Sequence, residues 1–359
     1  MVWPLTEEGR KPRLRIGRGH NQGDKMNTIQ RIVSLALVAG ASLALTAAPL
    51  VLNGAGASFP APVYQQWTNT YNESSKGVKV NYQSIGSGAG LNQLYSETVD
   101  FAGTDNPLTA QDQEDKGVVQ FPMLTGGVVV IYNLPGIPDG ALKLTGDALA
   151  KIYLGEIQSW NDPALQALNP TLKLPARKIT VVRRADASGT SFIFTNYLSK
   201  VSQTWNEKVG AGSAVRWPVG LGGQKNPGVC NNVAKIQGSI GYTEYTYALE
   251  AKLSMAQLQN AAGNFLAPSQ ETFSASAAGA DWKNAPGLFM VLTNQPGEKS
   301  WPITGVTYIV YHKNCPAEKK AALAAFFRWC FTEGNDAARK LQYVPIPQSV
   351  VDIFADDLL

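Results

Sequence analysis

The chain has 359 residues, of which 44% are hydrophobic and 16% are charged, the proportions of an ordinary globular protein long enough for two domains. Of its 31 Lys or Arg and 27 Asp or Glu, seven and three lie in the first 48 residues, which leaves 24 of each sign in the rest. A disordered or fibrous chain is therefore excluded, and no nucleic-acid partner is expected, because the body of the protein carries no net positive charge.

The N-terminal segment resembles an export signal. Residues 32–48, IVSLALVAGASLALTAA, form an apolar run that follows Arg31 and ends in small residues, which is typical of a secretory signal peptide. A membrane anchor is the alternative, but a spanning helix needs about 20 apolar residues and no second run follows. Met26 opens a conventional signal sequence. We predict a non-native extension over residues 1–25, a cleaved signal peptide over residues 26–48, and a mature protein in the periplasm.

From Leu52 onward, strand-like stretches alternate with helical patterns. The helical spacing is clear where Val63, Trp67 and Tyr71 recur every four residues. The strand-like stretches are residues 78–85, 99–105, 128–134, 178–186 and 306–312. This alternation predicts an α/β architecture with mainly parallel sheets flanked by helices.

Two apolar, β-rich runs lie far apart in the sequence, at residues 127–134 and 305–312. A single sheet would be large for a chain of this length, so we interpret these runs as hinge strands between two lobes. Lobe one is predicted to comprise residues 49–128 plus 305–359, and lobe two residues 129–304.

Three segments share a layout in which small hydroxyl and glycine residues lead into a helix. They are residues 54–60, 85–90 and 185–192. Glycines let the backbone approach a ligand, and the first N–H groups of a helix lack internal partners and carry partial positive charge. An anion is therefore the expected ligand. The side chains that can donate hydroxyl protons to it are those of Ser58, Ser87, Ser188 and Thr190. The alternative is that these residues only cap helices.

Arg184 follows the apolar stretch ITVV. It is therefore expected at the carboxyl end of a strand, where open α/β sheets bind ligands. Its planar set of donors suits two phosphate oxygens. The alternative is a surface ion pair with Asp186.

Catalytic and metal sites are not predicted. The two histidines are His20, in the leader, and His312, in an apolar strand, and no nucleophile elbow, phosphate-binding P-loop, dinucleotide fingerprint or metal-ligand spacing is found. His312 is interpreted as structural. Cys230, Cys315 and Cys330 are too few for a disulfide scaffold, and a Cys315–Cys330 bridge remains open.

Seven longer motifs carry a resemblance. NGAGASFPAPVYQQW, IGSGAG, VDFAGTDNPL, QFPMLTGGVVV, IYLGEIQSWNDP, VVRRADASGTSFIFTNYL and GYTEYTYA together resemble the periplasmic phosphate-binding proteins of phosphate-specific ABC transporters, from about Asn53 to the C-terminus. The resemblance implies a type II periplasmic-binding-protein fold with inorganic phosphate held between two lobes. It also implies a monomer that delivers phosphate to membrane permease subunits, without a cofactor.

The resemblance also implies the binding residues. Ser58 and Phe59 match the first phosphate loop, where Ser replaces the family's usual Thr and keeps the hydroxyl. Ser87 matches the second loop, in which the family often has a second serine where this chain has Gly88. Asp105 matches an acceptor aspartate.

The third loop is matched by Arg184, Ser188, Gly189 and Thr190, and Asp186 is expected to orient Arg184. The alternatives to a phosphate receptor are a phosphatase and a surface adhesin. A phosphatase on this fold would need a nucleophile with a base or metal, and a surface adhesin would tolerate loss of the anion-site residues. Retention of those residues and the shortage of histidines favour a receptor that performs no chemistry on phosphate.

Overall fold

The structure is a computed structural model that describes residues 48–75 and 77–359. The extension predicted over residues 1–25 and the signal peptide predicted over residues 26–48 lie outside the described residues, apart from Ala48. Within the described part, no helix is both long and apolar enough to span a bilayer.

The described chain alternates strands and helices, as the sequence predicts. The strands are β1 (Leu50–Gly56), β2 (Val78–Ser84), β3 (Phe101–Thr104), β4 (Val118–Tyr132), β5 (Lys143–Leu144), β6 (Thr180–Arg184), β7 (Leu221–Gly223), β8 (Ser239–Glu244), β9 (Ser254–Met255), β10 (Gln257–Gln259), β11 (Phe265–Leu266), β12 (Thr304–His312) and β13 (Val344–Pro345). The helices are α1 (Ala61–Ser74), α2 (Ser87–Tyr95), α3 (Ala110–Asp115), α4 (Gly146–Leu154), α5 (Pro163–Leu168), α6 (Gly189–Val201), α7 (Gln203–Lys208), α8 (Lys225–Lys235), α9 (Tyr245–Glu250), α10 (Gln270–Ala277), α11 (Ala317–Phe331), α12 (Asn335–Lys340) and α13 (Gln348–Leu358).

Eight strands form one sheet path in the order β2-β1-β3-β12-β4-β8-β6-β7, and β13 and β9, which pair with β4, bring this sheet to ten strands. On one side of β4, β1 pairs in parallel with β2 and β3; on the other side, β6 pairs in parallel with β7 and β8. β12 runs antiparallel to both β3 and β4, and β4 runs antiparallel to β8. Parallel pairing is thus found among the outer strands of each half, as expected, whereas β4 and β12 pair only with antiparallel neighbours.

Strand β4 changes its partner midway. Its residues up to Gly127 pair with β12, and those from Val128 onward pair with β8. At the change, Val128 N–H donates to the carbonyl of Ile303 at 2.8 Å. The chain therefore leaves the half of the sheet that contains β1, β2, β3 and β12 at Val128 and returns to it at Ile303, and these two residues are neighbours. The two predicted hinge runs meet here, and the lobe boundaries placed on them stay a prediction.

β4 begins at Val118, well before the stretch at 128–134 that the sequence suggested. Pro122 and the glycine pair at 126–127 concealed the first half, since proline and glycine are unfavourable in strand interiors. Pro122 lies opposite Tyr308 in β12, where the register shifts between Thr307 and Tyr308. Such an irregularity accommodates a residue that cannot donate to the ladder.

Helix α1 shows how the sequence pattern sets the packing. Val63 and Trp67, four residues apart, are buried on its inner face, as their helical spacing predicts. The indole of Trp67 donates to the carbonyl of Gly334 at 2.8 Å, which ties α1 to the start of α12. The C-terminal helices therefore pack beside the first loop.

The structure contains no Cys315–Cys330 disulfide. Cys230, Cys315 and Cys330 are free thiols in this structure, and Cys230 and Cys330 are buried.

Trp301 reinforces the point at which β4 changes partner. It is fully buried, donates to the carbonyl of Val128 at 2.9 Å and packs edge-on against Phe273. Trp301→Phe removes this donor and leaves a buried carbonyl with fewer partners, so we expect a loss of about 1–3 kcal/mol of unfolding free energy. Urea denaturation measures it. The matched control is Trp329→Phe, whose indole bonds to the exposed Glu333; equal midpoints for the two variants would contradict this role of Trp301.

Candidate functional site

The three glycine-containing turns come together at the carboxyl ends of strands. The first turn follows β1, and Asp105 follows β3, the parallel neighbour of β1. The second turn opens α2 at Ser87, and the third opens α6 at Gly189. Arg184 ends β6, as predicted. This is the edge at which open α/β sheets bind ligands.

Ser87 connects the second turn to the third. Its Oγ accepts the backbone N–H of Gly189 at 3.1 Å and that of Asp105 at 3.4 Å. One residue on, Gly88 N–H donates to the carbonyl of Ala187 at 3.1 Å. A Cβ at Gly88 would lie 2.6 Å from the Cβ of Ala187. The contact explains the glycine, because a serine there would press the two turns apart.

Ser58, on the first turn, meets a residue that the sequence analysis missed. Asn226, the second residue of α8, approaches the Ser58 Oγ with its backbone N at 3.4 Å and its Nδ2 at 3.2 Å. The signal was present, because Gly222-Gly223-Gln224-Lys225-Asn226 is a fourth glycine turn leading into a helix. It lacks the serine or threonine that drew attention to the other three.

Three buried hydroxyls have both acceptor sites engaged and are left with protons to donate, and a fourth, that of Ser188, accepts one N–H and also keeps its proton. Ser58 accepts from Asn226, Ser87 accepts two backbone N–H groups, and the Oγ1 of Thr190 accepts from Arg184 Nη1 at 3.3 Å and Asn226 Nδ2 at 3.5 Å. A hydroxyl has two acceptor sites and one proton. None of the three donates to an acceptor among residues 48–75 and 77–359, so each proton suits an acceptor-only ligand.

Arg184 forms a bidentate ion pair with Asp186. Its Nε lies 2.8 Å from one carboxylate oxygen and its Nη2 lies 2.5 Å from the other. The arginine side chain is 1% exposed, which rules out the alternative of a surface ion pair. Burial would raise the pKa of Asp186, but the hydrogen bonds and charge of Arg184 and the backbone N–H of Lys225 lower it. The carboxylate therefore stays ionised and holds the guanidinium in place.

Asp105 is a buried acid with unused acceptor capacity. It is 2% exposed, and neither carboxylate oxygen has a hydrogen-bond partner in the described part of the chain. Burial raises the pKa of Asp105 to about 7, although the neighbouring Thr307 hydroxyl and the positive charge of Arg184 both act to lower that pKa. A Cβ at Gly189 would lie 2.5 Å from Asp105. Glycine thus allows the start of α6 to pack directly against this carboxylate.

The remaining predicted residues contribute in different ways. Ser188 caps α6, because its Oγ accepts the N–H of Ser191 at 3.1 Å, as the capping alternative proposed. The ring of Phe59 is buried in the core, and its carbonyl accepts from the hydroxyl of Tyr343 at 2.7 Å. His312 lies away from the turns, with its Nε2 2.8 Å from the carbonyl of Leu94.

Glu244 forms a buried network beneath the first turn. Its Oε2 lies 3.0 Å from the hydroxyl of Tyr343, and its Oε1 lies 3.3 Å from the Oγ1 of Thr246. These hydroxyls also lie 2.7 Å from two carbonyls, those of Phe59 and Leu341 respectively. One hydroxyl proton cannot be donated to two acceptors, and each hydroxyl lies closer to its carbonyl. A proton on Glu244 Oε2 can then be donated to the Tyr343 oxygen, while Oε1 accepts the backbone N–H of Thr246 at 3.0 Å, which completes the network.

The sequence profile of the PBP superfamily domain matches residues 43–333. Among curated proteins, the chain is 49% identical over 311 residues to the phosphate-binding protein PstS of Pasteurella multocida, covering 86% of this chain and 90% of that protein. It is 50% identical over 302 residues to the phosphate-binding protein PstS of Haemophilus influenzae, covering 84% of this chain and 90% of that protein.

Solved structures show the same fold. A high-affinity periplasmic phosphate-binding protein, PfluDING, bound with phosphate, superposes with a TM-score of 0.67 at 19% identity and covers 85% of this chain and 92% of that one. An ancestral soluble variant of the human phosphate-binding protein gives the same TM-score and identity and covers 85% and 93%. The predicted two-lobed periplasmic-binding-protein fold is confirmed.

Glu244 makes the stability of the ligand-free protein depend on pH. Burial raises the pKa of Glu244 from 4.5 to about 8, so the folded state binds this proton more tightly and its stability falls as pH rises between those values. Glu244→Gln cannot ionise. We expect the variant to gain stability relative to wild type, on the order of a few kcal/mol, between pH 5 and 8. Urea denaturation across that range measures it, with the exposed Glu250→Gln as control; parallel curves for wild type and Glu244→Gln would refute the assignment.

Proposed function

The chain belongs to the phosphate-binding protein PstS family within the PBP superfamily, and we propose that it captures inorganic phosphate in the cleft between its lobes and delivers it to an ABC-type importer. The family membership confirms the resemblance on which the sequence analysis relied. The site supports this function through one observation above all: buried hydroxyls whose lone pairs are already engaged keep their protons for an anion.

We assign the donors to Ser58, Ser87, Ser188 and Thr190, together with the guanidinium of Arg184. The N-terminus of α6 adds the dipole of a 13-residue helix and the backbone N–H of Thr190, because the N–H groups of Gly189 and Ser191 are bonded to Ser87 and Ser188. Ser188 and Gly189 shape that end of the helix, the backbone of Phe59 lines the first turn, and Asp186 orients Arg184.

Asp105 is the acceptor that distinguishes phosphate from other tetrahedral anions. Phosphate near neutral pH carries at least one proton, and a carboxylate can accept it as a hydrogen bond. Sulfate has no proton to offer, so its oxygens would face the lone pairs of Asp105. Because Asp105 is buried and has no hydrogen-bond partner among the described residues, the repulsion is not relieved by solvent.

The lobes carry the capture step. Ser58, Ser87 and Asp105 belong to the predicted lobe one, and Arg184, Thr190 and Asn226 to the predicted lobe two, so the donors are assembled only when the lobes close. Permease subunits then receive phosphate as the cleft opens. A periplasmic monomer released by cleavage of the signal peptide fits this cycle.

A phosphatase is less well supported than a receptor. Hydrolysis would need a nucleophile beside a general base or a metal. The histidine at His312 is bonded to a backbone carbonyl outside the site, and no cluster of metal-ligating side chains occurs in the described residues.

Phosphate should stabilise the folded protein. A ligand that binds only the folded state adds about 2.7 kcal/mol at a hundredfold excess over its Kd. Protein purified, stripped of ligand by mild denaturation and refolded should therefore melt at a higher temperature in millimolar phosphate than without it. Indifference of the melting temperature to phosphate would contradict the proposed function.

Asp105→Asn should narrow the preference for phosphate over sulfate. The amide offers a donor and removes the charge, so the cost of placing sulfate there, at least about 1–3 kcal/mol, is relieved. Competition titrations with both anions measure it, with the exposed Asp352→Asn as control. Wild type should also discriminate less at pH 5 than at pH 8, because protonation of Asp105, whose pKa is about 7, supplies a donor. An unchanged preference in the variant would eliminate this role of Asp105.

A further inference from the structure

Asn226 lies where the two halves of the anion site meet. It is fully buried, at the start of α8. The turn before α8 is held in register because Arg184 pairs with Gly223 at the ends of β6 and β7. The position of Asn226 beside Arg184 therefore follows from the sheet and not from a flexible loop.

The polar groups of Asn226 have distinct partners, which fix the orientation of its amide. Its Oδ1 accepts from Arg184 Nη1 at 3.4 Å, and a guanidinium can only donate. The Nδ2 consequently faces the hydroxyls of Ser58, at 3.2 Å, and Thr190, at 3.5 Å. The backbone N–H of Asn226 also points to Ser58, at 3.4 Å.

These contacts determine the direction of the hydroxyl bonds. Two N–H groups of Asn226 occupy the acceptor sites of Ser58, so the Ser58 proton must point elsewhere. At Thr190 the acceptor sites are taken by Asn226 and Arg184. A carboxylate at this position would accept protons from both hydroxyls and withdraw them from an anion. The amide, and not merely a residue of this size, is what the arrangement requires.

We propose that Asn226 is a positioning residue of the anion site, which joins Ser58 to Arg184 and Thr190 across the cleft and fixes both hydroxyls as donors to the ligand. The inference rests on the proposed function as a phosphate receptor. It adds a residue that contacts the binding groups and need not contact the phosphate itself.

The test begins with Asn226→Ala. Loss of hydrogen bonds of this kind should weaken phosphate binding about tenfold, measured by calorimetric titration of stripped protein. The matched control is Asn231→Ala, in the same helix and exposed, which should leave the Kd unchanged. If wild type fails to bind phosphate, the proposed function fails; if wild type binds and Asn226→Ala binds equally well, only the positioning role is overturned.

A double-mutant cycle separates positioning from general support of the fold. If Asn226 acts through Ser58 and Thr190, removing it from a protein that carries both Ser58→Ala and Thr190→Ala should cost less than about threefold, because both hydroxyls that it orients are gone. A purely structural role would give the full tenfold loss in both backgrounds, and that additivity would overturn the proposal.

Asn226→Asp provides an independent arm of nearly identical size. The substitution keeps an oxygen that accepts from Arg184 but replaces the N–H donors with a second oxygen. Phosphate should therefore bind more weakly to Asn226→Asp than to Asn226→Ala. Because Asp and Asn have nearly the same shape, Asn226→Asp is the variant better suited to keep the fold. Binding by Asn226→Asp within about twofold of wild type would refute the need for the amide donors. If Asn226→Ala does not fold, the comparison of Asn226→Asp with wild type alone decides.

Discussion

A buried arginine whose charge is already neutralised is the constraint on which this site depends. Arg184 is almost completely enclosed and bound on two sides by Asp186, and an uncompensated buried cation would be costly. Because the charges of Arg184 and Asp186 neutralise each other, the site is suited to bind an anion through oriented N–H and O–H dipoles more than through net charge. Dipoles fixed in a protein lose less to solvent reorganisation than mobile charges, and their directions can select among anions of equal charge. The equal numbers of basic and acidic residues after residue 48 are consistent with this design.

Two buried acids, Asp105 and Glu244, differ in how fully their carboxyl groups are hydrogen-bonded. Asp105 has no hydrogen-bond partner in the described chain and retains unused acceptor capacity. Glu244 is surrounded by donors and acceptors and completes its network when protonated. Burial raises the pKa of both side chains, but only the first has acceptors to spare at the site. A raised pKa therefore does not by itself identify a binding residue; the count of unused hydrogen-bond positions does.

The sequence predicted the architecture and most of the turns because these depend on local signals. Alternating patterns located the strands, and glycine with serine before a helix located Ser58, Ser87 and Ser188. It could not give the full length of β4, since Pro122 is tolerated only through a register shift made by a distant strand. Asn226 and Glu244 also escaped, because each acquires its role from partners far away in the sequence, such as Ser58 and Tyr343. Long-range pairing, not propensity, decides such residues.

The strand order bears on how the protein matures after synthesis. β12 lies between β3 and β4, so the sheet that carries the first and second turns lacks a middle strand until Thr304–His312 is available. The span enclosed between Val128 and Ile303, whose ends are bonded to each other, is contiguous and can acquire its own contacts first. A chain that emerges N-terminus first must therefore hold β1 to β3 incomplete while most of its length is delivered, and contacts of such large sequence separation form slowly. Among the described strands, β1 to β3 therefore wait longest during synthesis for the strand that completes their half of the sheet.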